Sequence, residues 1–484
     1  MKKHIITIGI AATLFLGGCA SHIKISKEQA ATMSQQAVDT LKSFKYLKLP
    51  IIKATDKMRL MGREQFAAYE KWQIADMHKR FDFTVTDTII ENVKVNIIKP
   101  KNIKPENQNV IGFHIHGGAF FLGSGYERAA LLMANEYGYT IYSVDYTLAP
   151  EAKYPVAINE CLKVYKYLVT NFPAKNIVSS SLSAGGPLMM SALLKAQNEN
   201  LKMPIANVVL SPALELAIKG DTYISNDRRD VIAGKNSINK LALPAYLDKD
   251  TDLNDPFVSP VNADYKGNFP ASIITTATRD LFLSNSSRLL WKLKSGGIAA
   301  ELLVGEGMWH GYQTYPDIPE SIEARKAIYD FLNRQLKTGT MQTETQINTE
   351  ANKAVVLRFV NEVINNKHFE LIDELWSPTM VWHGGSAGEV YGIENYKKML
   401  IGAADASFSN MLLQVKDIIV SDDKVVLYFS NSGKNIGDFM GNKATNKTAI
   451  WNGMGIYRIE NGKIAEAWFS EDHLAMFQQL GFIK

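Results

Sequence analysis

The chain has 484 residues, of which 46% are hydrophobic and 21% charged, and its formal net charge is +4. These values exclude a disordered or fibrous protein, and the near balance of charge argues against a nucleic-acid partner. The two cysteines, Cys19 and Cys161, exclude a disulfide framework and a thiolate metal site. The length predicts about two to four domains, or one large domain with a smaller one.

The first 18 residues are typical of a secretory signal peptide. A basic pair precedes an apolar run at 5–16 that is too short to span a bilayer. Residues 16–19, Leu-Gly-Gly-Cys, resemble the lipobox of bacterial lipoproteins, and the alternative is an ordinary signal with a chance cysteine. The resemblance implies removal of 1–18, lipidation of Cys19 and a lipid anchor in a bacterial membrane. No aspartate follows the cysteine, which favours the outer membrane, facing the periplasm.

Residues 19–80 are predicted to form an N-terminal helical segment, with amphipathic helices at 33–46 and 65–78. This segment precedes the first strand signals. We therefore expect it to form a cap or an arm over a site.

Strands and helices alternate between residues 81 and 337, which we predict to be one domain. Strands are expected at 110–114, 140–145, 176–180, 207–210, 272–277 and 301–304, and helices at 156–169, 187–197, 286–294 and 322–336. This alternation predicts an α/β fold, with a mostly parallel sheet and helices on both faces.

The polar, aperiodic segment 338–350 is predicted to be a linker. It precedes a second, smaller domain at 351–484. That domain opens with a helix whose apolar positions run from Val355 to Ile364 at helical spacing, and it closes with strands around Asn461-Gly462, a type I′ hairpin signal. Helices followed by antiparallel strands predict an α+β domain.

Ser183 is the candidate nucleophile. It follows a predicted strand and precedes a predicted helix, and such a turn presents one side chain at the tip of a sheet. Small residues at 181 and 185 let the backbone pack closely around it. The N–H of Ala184 would point at a developing oxyanion, at the positive end of the helix dipole. The alternative is a tight turn that needs small residues only for packing.

Gly117 and Gly118 follow the strand at 110–114 and are candidate oxyanion donors, because glycine lets backbone N–H groups approach a ligand closely. The alternatives are a loop with a capping histidine, or a metal site that uses His114 and His116. No carboxylate pair or His-Glu-x-x-His motif completes such a site, so we expect no metal.

Asp280 and His310 each follow a predicted strand, at the edge of an α/β sheet where sites form. Among the histidines, His310 alone lies between Asp280 and the linker. The order Ser183, Asp280, His310 is that of the α/β-hydrolase triad.

Residues 90–337 resemble the hormone-sensitive-lipase-like family of α/β-hydrolases. The matching segments are His116-Gly117-Gly118-Ala119-Phe120, Asp145-Tyr146-Thr147-Leu148-Ala149-Pro150-Glu151, Ser183-Ala184-Gly185-Gly186, Asp255-Pro256-Phe257-Val258-Ser259-Pro260, Thr278-Arg279-Asp280 and Gly307-Met308-Trp309-His310. The resemblance implies a serine hydrolase of small carboxylic esters that needs no cofactor and has a helical cap.

Two residues depart from that family. It has Gly-Asp before the nucleophile, where this chain has Ser181 and Leu182. The triad survives, so the sequence favours an active enzyme. The alternative is a ligand-binding lipoprotein with a decayed triad.

Residues 350–484 resemble a SnoaL-like domain of the nuclear-transport-factor-2-like superfamily, through segments such as 382–384, 456–464 and 478–481. The resemblance implies a curved sheet around a pocket that His383 and Asp472 could face. An often acidic position after Trp468 is Phe469 here, which argues against isomerase chemistry. We expect a binding or homodimerising module; a hydrolase fused to a cyclase or isomerase is the alternative.

Overall fold

The computed structural model describes residues 20–47, 54–384, 388–403 and 406–483. Contacts divide the chain into two compact units, 1–339 and 340–484. The predicted signal peptide and Cys19 lie outside the described residues. None of the described helices is both long and apolar enough to cross a membrane.

The first unit contains two sheets and a set of helices. The strands are β1 (Ala20–His22), β2 (Lys45–Leu47), β3 (Phe83–Ile90), β4 (Val93–Pro100), β5 (Ile111–Ile115), β6 (Thr140–Asp145), β7 (Ile177–Leu182), β8 (Ala206–Leu210), β9 (Ala271–Ala277) and β10 (Ala300–Gly305). The helices are α1 (Lys27–Ala31), α2 (Gln35–Ser43), α3 (Asp56–Arg80), α4 (Arg128–Tyr137), α5 (Val156–Asn171), α6 (Gly185–Asn198), α7 (Thr222–Ser225), α8 (Lys235–Ser237), α9 (Leu243–Tyr246) and α10 (Leu283–Ser295). A further helix, α11 (Pro319–Arg358), begins in the first unit and continues past its last residue, 339.

The large sheet has eight strands in the order β10-β9-β8-β7-β5-β6-β4-β3. Strands β5 to β10 are parallel, and β4 and β3 extend the sheet in antiparallel pairs. This arrangement confirms the predicted mostly parallel sheet. Parallel sheets are buried on both faces, and every residue of β5 and of β8 is accordingly buried.

Helices cover both faces of this sheet. Side chains of a strand alternate between faces, so Val209 of β8 joins a core with α5 and α6, while Val208 joins one with α4 and α11. The two apolar layers fix the strands, and with them the turns at their carboxyl ends.

The N-terminal segment differs from the prediction in one element. The helix expected at 33–46 ends at Ser43, and β2 follows it in an antiparallel pair with β1. The helix expected at 65–78 lies within the longer α3.

The expected irregular linker at 338–350 is helical, because α11 continues to Arg358. Nucleation is the costly step in helix formation, whereas extension adds one hydrogen bond per residue. A helix that already packs on the first unit therefore extends through a polar segment that contains no proline.

The second unit is an α+β domain with one sheet of six strands in the order β12-β11-β16-β15-β14-β13. They are β11 (Trp376–His383), β12 (Glu389–Tyr391), β13 (Phe408–Ser421), β14 (Lys424–Asn435), β15 (Thr448–Glu460) and β16 (Lys463–Glu471); the helices are the π-helix Phe359–Asn365, α12 (Ile372–Leu375), α13 (Ile393–Ala403) and α14 (His473–Leu480). Asn461 and Gly462 both have positive φ, which confirms the predicted type I′ turn between β15 and β16.

Candidate active site

Ser183 lies in a strained turn between β7 and α6. Its φ is +54°, a left-handed conformation that non-glycine residues adopt mainly where the surrounding structure enforces it. A Cβ on Gly185 would lie 2.2 Å from the carbonyl oxygen of Ile115, so the tight approach requires glycine there. The close packing therefore enforces the strained turn and holds the Ser183 hydroxyl at the edge of the sheet.

The structure brings Ser183, His310 and Asp280 together in one chain of hydrogen bonds. His310 Nε2 lies 2.8 Å from Ser183 Oγ, and His310 Nδ1 lies 3.1 Å from Asp280 Oδ1. Asp280 also accepts hydrogen bonds from Thr276 Oγ1 and from the Phe282 N–H. This is the geometry in which an imidazole can take a proton from a serine hydroxyl while a carboxylate orients it.

Burial and charge act in opposite directions on this pair. Burial disfavours the Asp280 carboxylate, but the His310 imidazolium and the hydrogen bonds outweigh that effect and lower the pKa of Asp280. Burial likewise disfavours the imidazolium, but the attraction of Asp280 outweighs it and raises the pKa of His310. The pair therefore favours charge separation, which suits a histidine that must hold a proton during a reaction.

Asp230 is a second carboxylate beside the pair, and sequence reasoning missed it. Its Oδ2 accepts the Leu281 N–H at 2.8 Å, and burial raises its pKa to about 6. Ligand atoms of Asp230, Asp280 and His310 all lie within 4.8 Å of one another. Both nitrogens of His310 are already engaged by Ser183 and Asp280, so a metal there would have to displace one of them. No sequence pattern links Asp230 to a residue fifty positions away.

The loop after β5 corrects one predicted oxyanion donor. The Gly117 N–H donates to Glu127 Oε1 at 2.9 Å and is therefore occupied. The N–H groups of Gly118 and Ala184 have no hydrogen-bond partner within the described residues, and both residues line the cavity with Ser183. The φ of Gly118 is +103°, a conformation that requires glycine. Sequence reasoning missed Glu127. It lies ten positions after Gly117, and no local pattern indicates that its side chain accepts the first N–H of the loop.

The two histidines of the alternative metal site have separate partners. His114 bonds Glu127 through Nε2 at 2.9 Å and Ser180 through Nδ1 at 2.8 Å. His116 donates from Nδ1 to the Gly117 carbonyl, and burial lowers its pKa. Within the part of the chain that is described, the one cluster with metal-ligand spacing contains neither of them.

A cavity of about 200 Å³ opens onto Ser183 and His310. One wall comes from α3, through Phe66, Tyr69, Glu70 and Gln73, in agreement with a cap built from the N-terminal segment. A second wall, at 232–243, is mostly apolar and was not predicted as part of the cap. An apolar cavity with a few convergent polar groups is typical of a small-molecule site.

Comparison with known proteins agrees with this geometry. Residues 112–314 match the family model described as alpha/beta hydrolase fold. An esterase of Acinetobacter venetianus is 31% identical over 223 residues, which cover 45% of this chain and 73% of that protein. The chain belongs to the α/β-hydrolase family. An arylesterase of Saccharolobus solfataricus is 28% identical over 44% of this α/β-hydrolase and 71% of its own length. The structure of esterase E25 aligns with a TM-score of 0.57 and 26% identity, over 66% of this chain and 98% of that one.

Residues 354–480 of this α/β-hydrolase match a second model, described as SnoaL-like polyketide cyclase. In this unit the structure corrects the predicted position of His383. Trp382 and Phe469 are partly buried and pack against the core, so His383 and Trp468, one position away on each strand, lie on the opposite face. There the His383 ring stacks on Trp468 and bonds Glu389 and Glu466.

Asp472 is likewise not a pocket residue. It is the N-cap of α14, and its side chain accepts the Ala475 N–H at 3.0 Å. Sequence reasoning missed Glu471, whose carboxylate accepts hydrogen bonds from Trp451 Nε1 and Asn431 Nδ2. The alternation of β16 could have found it, because Glu471 shares a strand face with Phe469.

Proposed function

We propose that this α/β-hydrolase cleaves small carboxylic esters through an acyl-enzyme on Ser183. The observation that carries the proposal is the unbroken chain Ser183–His310–Asp280 at the floor of an apolar cavity. The names of its relatives, an esterase and an arylesterase, support an ester substrate.

The reaction follows from the contacts of these residues. Ser183 Oγ attacks the ester carbonyl as His310 Nε2 takes its proton, and Asp280 stabilises the imidazolium. The carbonyl oxygen becomes an oxyanion, which accepts hydrogen bonds from the N–H groups of Gly118 and Ala184. The C–O bond breaks as His310 returns the proton to the leaving alkoxide. Water then repeats the sequence on the acyl-Ser183, releasing the acid and restoring the hydroxyl.

The test is hydrolysis of a p-nitrophenyl ester series of rising acyl length, together with labelling by a fluorophosphonate probe. We expect turnover of short esters and stoichiometric labelling that Ser183→Ala abolishes. Labelling at another serine, or turnover that survives in Ser183→Ala, would assign the nucleophile elsewhere. Folded protein with neither labelling nor turnover would favour the alternative of a ligand-binding lipoprotein.

We infer that the second unit pairs two copies of the chain rather than catalysing a reaction. The outer face of its sheet exposes apolar side chains on adjacent strands, including Tyr428, Met454 and Ile456. His383 and Asp472 are committed to structural contacts, and Phe469 packs against Tyr457. Light scattering should give a dimer that Met454→Glu dissociates; a monomeric wild-type protein would refute the inference.

We propose that a lipid on Cys19 anchors the protein to a bacterial membrane. The membrane proposed is the outer membrane, with the protein facing the periplasm. The support is the Leu-Gly-Gly-Cys sequence after an apolar run, with no aspartate after the cysteine. A lipid anchor would hold the hydrolase at the membrane surface without a spanning helix.

A further inference from the structure

Arg128 is a buried cation on the wall of the active-site cavity. It is 6% exposed and lines the cavity together with Ser183 and His310. A guanidinium keeps its charge in proteins. Burying it without an anion is therefore costly, and such a group needs a reason to be there.

Within the described residues, Arg128 has no ion-pair partner, and not all of its N–H groups make hydrogen bonds. Nη2 donates to Thr314 Oγ1 at 3.3 Å, and the Tyr315 ring lies 4.8 Å from the guanidinium carbon. Nε is buried and has no hydrogen-bond partner within the described residues. Among the ion pairs of those same residues, none includes Arg128. Within the described residues, the guanidinium thus has one weak hydrogen bond and no carboxylate partner, although it lines a cavity.

Neither neighbouring carboxylate of the cavity forms an ion pair with Arg128 within the described residues. Glu127 uses one oxygen for the Gly117 N–H and the other for His114. Burial raises the pKa of Glu70, the other cavity carboxylate, to about 7, so it is partly uncharged near neutral pH. Arg128 is also the first residue of α4, the positive end of the helix dipole, so its charge does not serve the helix.

A second cavity of about 300 Å³ adjoins the first, and Tyr69, Arg128 and Tyr315 line both. The second cavity contains another arginine, Arg80, whose guanidinium is paired with Asp76 and Asp317. Of these two arginines, Arg128 is the one with a donor left for a ligand. A substrate limb that extends from Ser183 towards the second cavity would meet it.

We propose that Arg128 binds a carboxylate of the substrate, so that the preferred esters carry a negative charge on the acyl or the alcohol limb. This inference rests on the proposed ester hydrolysis. A carboxylate can accept two N–H groups of one guanidinium side by side, the geometry in which arginine binds anions most strongly. In the cavity it would bind at the Nη end of Arg128 and supply the missing counter-charge.

The test compares kcat/KM for matched charged and neutral esters. The acyl pair is p-nitrophenyl hydrogen adipate and p-nitrophenyl hexanoate; the alcohol pair is para-acetoxybenzoate and its methyl ester. We expect the wild-type enzyme to favour the charged member of at least one pair. Arg128→Gln should lower that charged-to-neutral ratio about tenfold or more, the effect of a lost charge-assisted hydrogen bond. Arg80→Gln is the matched control and should leave the ratio within about twofold, because its charge is already paired.

A wild-type preference for the neutral ester in both pairs would overturn the proposal, as would an Arg128→Gln variant with an unchanged ratio. If Arg128→Gln does not fold, Arg128→Lys decides, because it keeps the charge and loses the fork. It should retain the preference in weakened form, and an unweakened preference would refute binding by the fork. Failure of ester hydrolysis itself is distinguishable, because all four esters would then resist cleavage and Ser183 would not be labelled.

Discussion

Replacing Glu127 by alanine tests whether this side chain holds the oxyanion loop. Its Oε1 accepts the Gly117 N–H and its Oε2 bonds His114, whose other nitrogen bonds Ser180. Glu127 precedes α4, but its side chain makes no capping hydrogen bond. The substitution therefore removes the loop contacts without removing a helix cap.

The size of the effect follows from those two contacts. Hydrogen bonds to a charged group contribute about 1.5–3 kcal/mol each, and a buried donor left unpaired adds a desolvation cost. Glu127→Ala should therefore lower both the free energy of unfolding and kcat. Loss of an oxyanion donor costs about 10² to 10³ in kcat, which is the upper limit if Gly118 moves with Gly117. Glu127→Gln keeps an acceptor for Gly117, so it should lose about tenfold or less.

The assay is steady-state hydrolysis of a short p-nitrophenyl ester, with a thermal melt of each variant. Glu136→Ala is the matched control, because Glu136 lies near the other end of α4 and pairs with Arg325. It should affect stability but not kcat. A Glu127→Ala enzyme with wild-type kcat would refute a role for this carboxylate in the loop.

Three further predictions concern the triad, its neighbour and the anchor. Ser183→Ala or His310→Ala should each lower ester turnover about a thousandfold, since triad members act as a unit; near-normal turnover would contradict the assignment. The negative charge of Asp230 helps to raise the pKa of His310, and catalysis needs the neutral imidazole. Asp230→Asn should therefore lower that pKa and move the acid limb of the kcat/KM–pH profile to lower pH, and an unmoved limb would contradict it. Cys19→Ser should release the protein from the membrane fraction in fractionated cells, whereas continued membrane association would exclude the lipid anchor.

The α/β unit was largely predictable because its signals are local. The strand at 140–145 has the predicted bounds, since a short apolar run between turn residues determines it. Ser183, Asp280 and His310 were found by their places after strands, and parallel strands bring such places to one edge. The contacts that complete the site were not predictable in this way. Asp230 reaches the site by a backbone contact that no local pattern records.

In the second unit, sequence reasoning placed a residue on the wrong face of its strand. Alternation fixes which residues of a strand share a face, but not which face meets the core. Trp382 packs against the core of this unit, so the neighbouring His383 faces away from it. The missed acid Glu471 follows from the same alternation, once Phe469 is known to point inward. The prediction of an irregular linker at 338–350 was wrong for a different reason. A helix extends from a packed start even where the local sequence has no strong helical preference.

Replacing Ser181 tests the effect of having serine where the hormone-sensitive-lipase-like family has glycine. We expect this serine to lower stability rather than activity. Its side chain is fully buried on β7, and its Oγ has no hydrogen-bond partner within the described residues. Ser179, two positions earlier on the same strand, is equally buried, but its Oγ donates to Asn207 Oδ1 at 2.8 Å. Burying a hydroxyl without a partner costs about 1–3 kcal/mol, whereas a made hydrogen bond contributes about 1 kcal/mol.

The two alanine substitutions should therefore change the free energy of unfolding in opposite directions, although each removes one hydroxyl oxygen from the same strand. Ser181→Ala should raise it and Ser179→Ala should lower it, each by about 1 kcal/mol in denaturant unfolding. Ester turnover should stay close to that of the wild type in Ser181→Ala, because Ala fits wherever Ser fits and the turn at Ser183 is retained. If Ser181→Ala destabilises the protein, then the Ser181 hydroxyl has a partner, such as a buried water, and the serine is a supported part of the turn.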